Sequence, residues 1–382
     1  MYAAKRPSKW PVVVILVLAS WLVVACGSRI SNANWPGLTA DGENVYVAYG
    51  GGVLAYNVVE RTQEWLFAPQ PGRLAFYAAP SVQDGRVVVG DFGASGGFFS
   101  PGVVTTIYGL EGNGGSTPDE LWANSELTTD RIVASALQVG DTAFIGTSDN
   151  QLLAIDTISG DLIWKFETEH SIWAQPSYKD GIIFVTCLDK NVYALDAETG
   201  AEKWRLTLEG ATAAQPLVDT DYLYVTSFDR KLHAISLSTG EAQWVVDAQD
   251  WIWGAAALSD GAVYFADAKG NVYAVDAETG DALWTQQVDG VVQASTVVAN
   301  GIVYVASVTT LEDGQPAGLL TALSTDGGAQ LWQQETIVPL YTTPVLVDGT
   351  LVVAVQTADT LLIAFDAATG VKQWDLPIPG QS

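Results

Sequence analysis

Histidine and cysteine are almost absent from this chain, each occurring twice in 382 residues. His170 falls at the start of a loop between repeat units and His233 within a strand-like run. No histidine cluster therefore suits a zinc site or a nucleophile–histidine–acid triad. Cys26 and Cys187 cannot supply a disulfide framework. Cys187 ends a Val-type strand and reads as a small buried apolar residue, inert as a thiol. Basic residues are also scarce: 17 Lys and Arg face 43 Asp and Glu, a net charge of −26. Removing residues 1–25 with their three basic side chains leaves 14 − 43 = −29. A chain this acidic repels nucleic acid and anionic headgroups, which excludes a DNA- or RNA-binding role and a polybasic membrane patch. The charge suits an exported soluble domain, and could also attract a basic partner or divalent cations.

Helical periodicity is missing too. After residue 26 no segment holds a 3.6-residue apolar period long enough for a helix. The glycine-rich stretches Gly90 to Ser100 and Glu111 to Ser116 lack the Lys and the following helix of a phosphate loop, and read as flexible loops between strands. Asp219-Thr-Asp221 lacks the glycine and further oxygen ligands of a calcium loop.

What the chain has instead is repetition. The stretch Leu195-Asp-Ala-Glu-Thr-Gly-Ala-Glu-Lys-Trp204 returns at Ile155 to Trp164, Ile235 to Trp244, Val275 to Trp284 and Phe365 to Trp374, with weaker copies ending at Trp65, Trp122 and Trp332. The eight tryptophans are spaced by 57, 42, 40, 40, 40, 48 and 42 residues, a period that marks a repeat architecture. Asp180-Gly181, Asp260-Gly261, Asn300-Gly301 and Asp348-Gly349 precede β-branched and aromatic runs, the punctuation of hairpins. One unit therefore reads as four short strands, the first leading into Asp-Gly and the fourth carrying the Trp. In the Asp-x-x-Thr-Gly element the Asp accepts backbone hydrogen bonds and the Gly turns the chain. The Trp is free to bury its ring between units, and none of these residues is catalytic. Radial repetition buries both faces of such a sheet, so the expected fold is an all-β, eight-bladed propeller of four-stranded antiparallel blades. Whether residues 31–36 pair with the last unit is not written in the sequence.

The Ala-x-Asp-x-x-Thr-Gly-x-x-x-Trp pattern, over about residues 37–376, resembles the repeats of pyrroloquinoline-quinone (PQQ)-type β-propellers. That superfamily holds quinoprotein dehydrogenases and non-enzymatic scaffolds such as the BamB-type lipoproteins of outer-membrane protein assembly. The dehydrogenases pair their cofactor with a vicinal Cys-Cys disulfide, and no two cysteines are adjacent here. The resemblance thus implies a non-enzymatic member without cofactor, the alternatives being a PQQ-dependent oxidoreductase or a lipoprotein binding a small ligand at an aromatic channel mouth.

The N-terminus has the form of an export signal. Lys5, Arg6 and Lys9 precede an apolar run from Pro11 to Val24, and Val23-Val-Ala-Cys26 follows. This reads as a lipoprotein signal peptide over 1–25, with Cys26 as the lipidated residue, a tether over 26–36 and the propeller over 37–382. The apolar run is shorter than the ~20 residues that span a bilayer. The expected product is an extracytoplasmic, lipid-anchored monomer with a partner in the cell envelope.

A candidate site follows from aligning the units on their Asp-Gly turns. Seven residues before each turn, read as the start of each innermost strand, stand Asn34, Tyr77, Val133, Trp173, Ala213, Trp253, Gln293 and Tyr341, with Phe76 and Trp251 beside them. Tyr77, Trp173, Trp251, Trp253, Gln293 and Tyr341 are the expected partner-binding rim, because aromatic surface anchors are what interfaces use. The competing structural role is to plug the channel or pack between inner strands.

Overall fold

Each repeat folds as an antiparallel sheet, and the fourth shows the local reasons. Its strands are Ser177–Lys179, Ile182–Thr186, Asn191–Asp196 and Glu202–Thr207. The first hairpin turns through Asp180 and Gly181, both at positive φ (48° and 81°), as a two-residue turn matched to strand twist requires. The turn from third to fourth strand is held by Asp196 Oδ1, which accepts from the Thr199 backbone N–H at 3.0 Å and its hydroxyl at 2.8 Å. The two middle strands are almost wholly buried, whereas the fourth alternates between exposed and half-buried side chains.

The computed structural model describes residues 36–69, 76–95, 103–311, 314–355, 357 and 359–379. Eight such sheets, spanning 37–67, 81–124, 137–167, 177–207, 217–247, 257–287, 297–336 and 345–377, form blades 1 to 8 of a ring. Among the described residues every blade takes its four strands from one stretch of sequence, blade 7 adds a fifth short strand, Val291–Val292, on its second strand, and no sheet is shared between the first and last blades. Side chains close the ring: Leu38, Val45, Val47 and Tyr56 of blade 1 share one buried cluster with Val352, Leu362 and Ala364 of blade 8. The Thr342 hydroxyl donates to Pro36 O at 3.0 Å across the same seam.

Between blades the repeat tryptophans do the packing expected of them. Each stands opposite a small residue on its own third strand, Ala55, Gly109, Ala154, Ala194, Ala234, Ala274, Ala322 or Ala364. Six of the rings, Trp122, Trp164, Trp204, Trp244, Trp284 and Trp332, lie against the turn glycine of the next blade. An inner belt of hydrogen bonds also links neighbouring blades. Gln138 donates to Ser81 O at 2.9 Å, the Thr226 hydroxyl to Gly254 O at 2.8 Å, and the Ser295 N–H to Thr343 Oγ1 at 3.0 Å. First strands of blades 2 to 5, with Ala255 and Ala256 just ahead of blade 6's first strand, line a central channel of about 590 Å³.

Candidate functional site

Two faces of the ring differ in chemistry. On one, the Asp-Gly turns meet the Asp-x-x-Thr-Gly turns, as where the Ala197 N–H donates to Gly181 O at 2.9 Å. On the other, the loops between blades meet the turns joining second to third strands, as where the Leu208 N–H donates to Lys190 O at 2.8 Å. The candidate rim lies on this second face.

The aromatic position does not start the innermost strands. Ser81, Ser177, Ala257, Val297 and Val345 begin them, four residues after Tyr77, Trp173, Trp253, Gln293 and Tyr341. Upstream of these points the chain bonds to two blades at once: the Ile172 N–H donates to Thr147 O of the preceding blade at 3.1 Å while Ser171 O accepts from the Leu188 N–H of its own at 3.1 Å, and the Ile252 N–H donates to Ser227 O at 3.4 Å while Trp251 O accepts from the Ala268 N–H at 2.8 Å. The linking segment is extended, so its side chains alternate. Phe76, Ile172, Ile252, Val292 and Leu340 are buried, while Tyr77, Gln293, Tyr341 and Trp253 are half-buried and Trp173 is exposed. Trp251 is 54% exposed. Asn34 and Cys26, with the whole of residues 1–35, lie outside the described residues.

Three of the six rim residues, Trp251, Trp253 and Tyr77, fall into two separate aromatic groups. In the first, Phe228 packs against Trp253 (ring centroids 4.7 Å apart) and Trp251 (6.3 Å). Their loop is locked by Asp267, fully buried, whose Oδ2 accepts from the N–H groups of Gln249 and Asp250 (3.1 and 3.2 Å) and from the Tyr273 hydroxyl (2.9 Å). In the neighbouring blade Asp229 Oδ2 lies 3.0 Å from His233 Nε2. Burial would push the Asp229 carboxyl up, but the His233 hydrogen bond and charge hold it below its ordinary value. In the second group Tyr77 meets Phe92 edge-on at 4.8 Å, with the Arg131 guanidinium over the Phe92 ring at 4.8 Å. Trp173 stands apart from both.

Phe228, Phe92 and Arg131 escaped the alignment on Asp-Gly because they sit outside that column. A second column, comparing Cys187-Leu-Asp-Lys190 with Ser227-Phe-Asp-Arg230, would have shown Phe228. The glycine-rich insertion of blade 2 begins as a small hairpin, Ala94–Ser95 with Val103–Val104, on the same face. Cys187 is fully buried, and burial pushes its thiol up to about 12. Among the described residues no group of three His, Cys, Asp or Glu side chains could hold a metal ion.

The family model described as outer membrane protein assembly factor BamB matches residues 23–171, 159–252 and 269–381. No curated protein sequence matches. Among solved structures the chain is similar to BamB from Moraxella catarrhalis, with 19% identity, a TM-score of 0.67, and 89% of this chain and 96% of that one covered. It is similar to the computationally designed Ika8 protein at 17% identity and a TM-score of 0.65, covering 89% and 95%. A europium-containing methanol dehydrogenase is more distant, at 13% identity and a TM-score of 0.60, covering 81% and 80%. At these identities the structural likenesses show the eight-bladed fold alone.

Proposed function

This chain belongs to the BamB family, and from that premise we propose that it is a non-enzymatic, lipid-anchored scaffold that binds a protein partner at the cell envelope. The observation that carries the reading is the aromatic loop face. Trp173 and Trp251 are 40% and 54% exposed, on loops pinned by backbone hydrogen bonds to neighbouring blades. Rigid, exposed aromatic side chains are what protein partners use as anchors. Residues 1–26 support the anchored placement, with Cys26 as the acylated residue, and the family description supports a periplasmic site beside an outer membrane.

The dehydrogenase alternative finds little in these residues. The channel is lined by Gln83, Gln138, Tyr178, Gln215 and small or aliphatic groups. No Lys or Arg among them meets the carboxylates of a pyrroloquinoline quinone, so the lining does not fit that group.

Affinity purification of the tagged protein from its own membranes in mild detergent tests the scaffold reading. Recovery of an envelope protein, lost in the Trp173→Ala plus Trp253→Ala variant and released from the membrane fraction with Cys26→Ala, is the expected result. A folded double variant that keeps its partner would overturn the rim as the docking surface.

A further inference from the structure

The chain enters the propeller from one face. Its first strand, Gly37–Asp41, pairs antiparallel with Asn44–Tyr49, with Asp41 opposite Asn44 at the turn face and Gly37 opposite Ala48 toward the loop face. Pro36 therefore stands at the loop-face end of an innermost strand, and it is fixed there between two rim segments. Its carbonyl accepts from the Thr342 hydroxyl at 3.0 Å, one residue after Tyr341. On the other side Gly37 lies so close to the Ala78–Ala79 backbone, just after Tyr77, that a Cβ would clash with it.

Length decides which face a lipid anchor brings to the membrane. Ten peptide units join Cys26 to Pro36, and fully extended they reach at most about 36 Å. A domain of this size is about 50 Å across, and its six-residue strands stand about 20 Å tall. From an exit near the axis of the loop face, the way out over the perimeter to the turn face is about 45 Å. An acylated Cys26 thus falls short of a membrane lying on the turn face, whereas one on the loop face is within reach.

The side chains of the two faces agree with this. On the turn face aspartates recur in the first turns, as Asp84, Asp180, Asp260 and Asp348, and in the second turns, as Asp196 and Asp276. Phosphate headgroups repel such a surface. The loop face mixes both signs, with exposed Arg131, Lys190, Arg230 and Lys269 beside exposed Glu169 and Glu209. Among them Trp173, Trp251, Val291 and Ile337 are 40, 54, 47 and 81% exposed. Tryptophan with long basic side chains is the composition that settles at a membrane–water boundary.

We propose that the loop face lies on the lipid surface to which Cys26 anchors the chain, with Trp173, Trp251, Val291 and Ile337 at headgroup level and the acidic turn face toward the aqueous compartment. The inference rests on the anchored reading and adds a direction to it: a partner met by the rim lies in the plane of the membrane.

The test uses the acylated full chain in vesicles of phosphatidylethanolamine and phosphatidylglycerol that carry a headgroup spin-labelled lipid. An environment-sensitive fluorophore is placed on Lys190→Cys of the loop face, Glu198→Cys of the turn face or Leu283→Cys of the perimeter, all exposed positions. The parent, whose Cys187 is buried, is the unlabelled control. Quenching at Lys190→Cys about twofold or more above that at the other two positions is expected, since groups seated at an interface enter it by about 5–10 Å. Adding Trp173→Ala and Trp251→Ala, which leaves the tether intact, should lower that quenching toward the perimeter value. Equal quenching at all three positions, or stronger quenching at Glu198→Cys or Leu283→Cys, would overturn the proposal. So would loop-face quenching that is unchanged without the two tryptophans. Flotation of the same vesicles separates the two readings: protein that floats yet is unquenched at Lys190→Cys sinks the orientation alone, and acylated protein that does not float sinks the anchored reading and this inference with it.

Discussion

Gly200 of blade 4 lies against the Trp164 ring of blade 3, and the Trp164 indole N–H donates to Ala197 O at 3.0 Å in the same turn. A Cβ on Gly200 would stand 2.6 Å from Trp164 Cε3, and the residue has φ +70°. Gly200→Ala therefore combines left-handed strain with displacement of a packed ring, and should destabilise by about 2–4 kcal/mol in urea unfolding. Gly181→Ala is the control: φ is +81° but nothing lies within 4 Å, so only the backbone cost of roughly 1–2 kcal/mol applies. Equal effects at the two sites would mean that the ring gives way without cost.

Trp204 and Trp244 occupy equivalent positions but end differently. Trp204 Nε1 donates to Leu237 O at 3.0 Å. Trp244 Nε1 is buried without a partner among the described residues, and the matching carbonyl, Ala277 O, accepts from the Tyr224 hydroxyl at 2.9 Å. Trp204→Phe should cost about 1 kcal/mol more than Trp244→Phe, the difference being one net hydrogen bond. Chemical denaturation of the two variants side by side reads this directly.

Blade 1 departs from the repeat at the ring seam. Arg61, at φ 57°, occupies the turn position held elsewhere by glycine, and Trp374 packs on Tyr56 with ring centroids 5.5 Å apart. Arg61→Gly removes left-handed strain but adds unfolded-state freedom, for an expected net gain of about 0.5–1 kcal/mol. A loss of stability would show that the Arg61 side chain holds the seam.

Acid should loosen the turn face. Lys203 and then Thr199 hold the Asp196 carboxyl down to about 2, and hydrogen bonds from Ser159, Thr279 and Thr369 lower Asp156, Asp276 and Asp366. A carboxylate lowered on folding contributes stability that is present above its unfolded value of about 3.9 and is lost as pH falls through the folded value. The window is thus from about pH 4 down toward 2, followed by tryptophan fluorescence. Changing all four to Asn should flatten the transition, since Asn57 already caps such a turn, accepting from the N–H groups of Val59 and Glu60 at 3.0 and 2.7 Å. Coincident acid transitions in parent and variant would assign the lability elsewhere.

The Cys187 thiol, buried and pushed to about 12, should resist alkylation in the folded protein. Labelling followed by mass spectrometry is expected only after unfolding. Rapid labelling of the native chain would place Cys187 in a segment that opens.

Blade number, strand order and the role of the tryptophans were legible because local chemistry repeats eight times. Most of the first hairpins turn through Asp-Gly or Asn-Gly, which favour a two-residue turn, a capped turn uses Asp, Asn or Ser, and a ring lying on a turn meets a glycine there. The tertiary structure alone decided how the ring closes, since an apolar seam between Val47 and Leu362 leaves no signal distinct from any other core. It alone decided that the aromatic column falls on linking segments, where the chain bonds to the preceding blade and to its own at once. And it alone brought Phe228 to Trp253 and Pro36 to Thr342, because those residues are tens to hundreds of positions apart and meet only through the curvature of the ring.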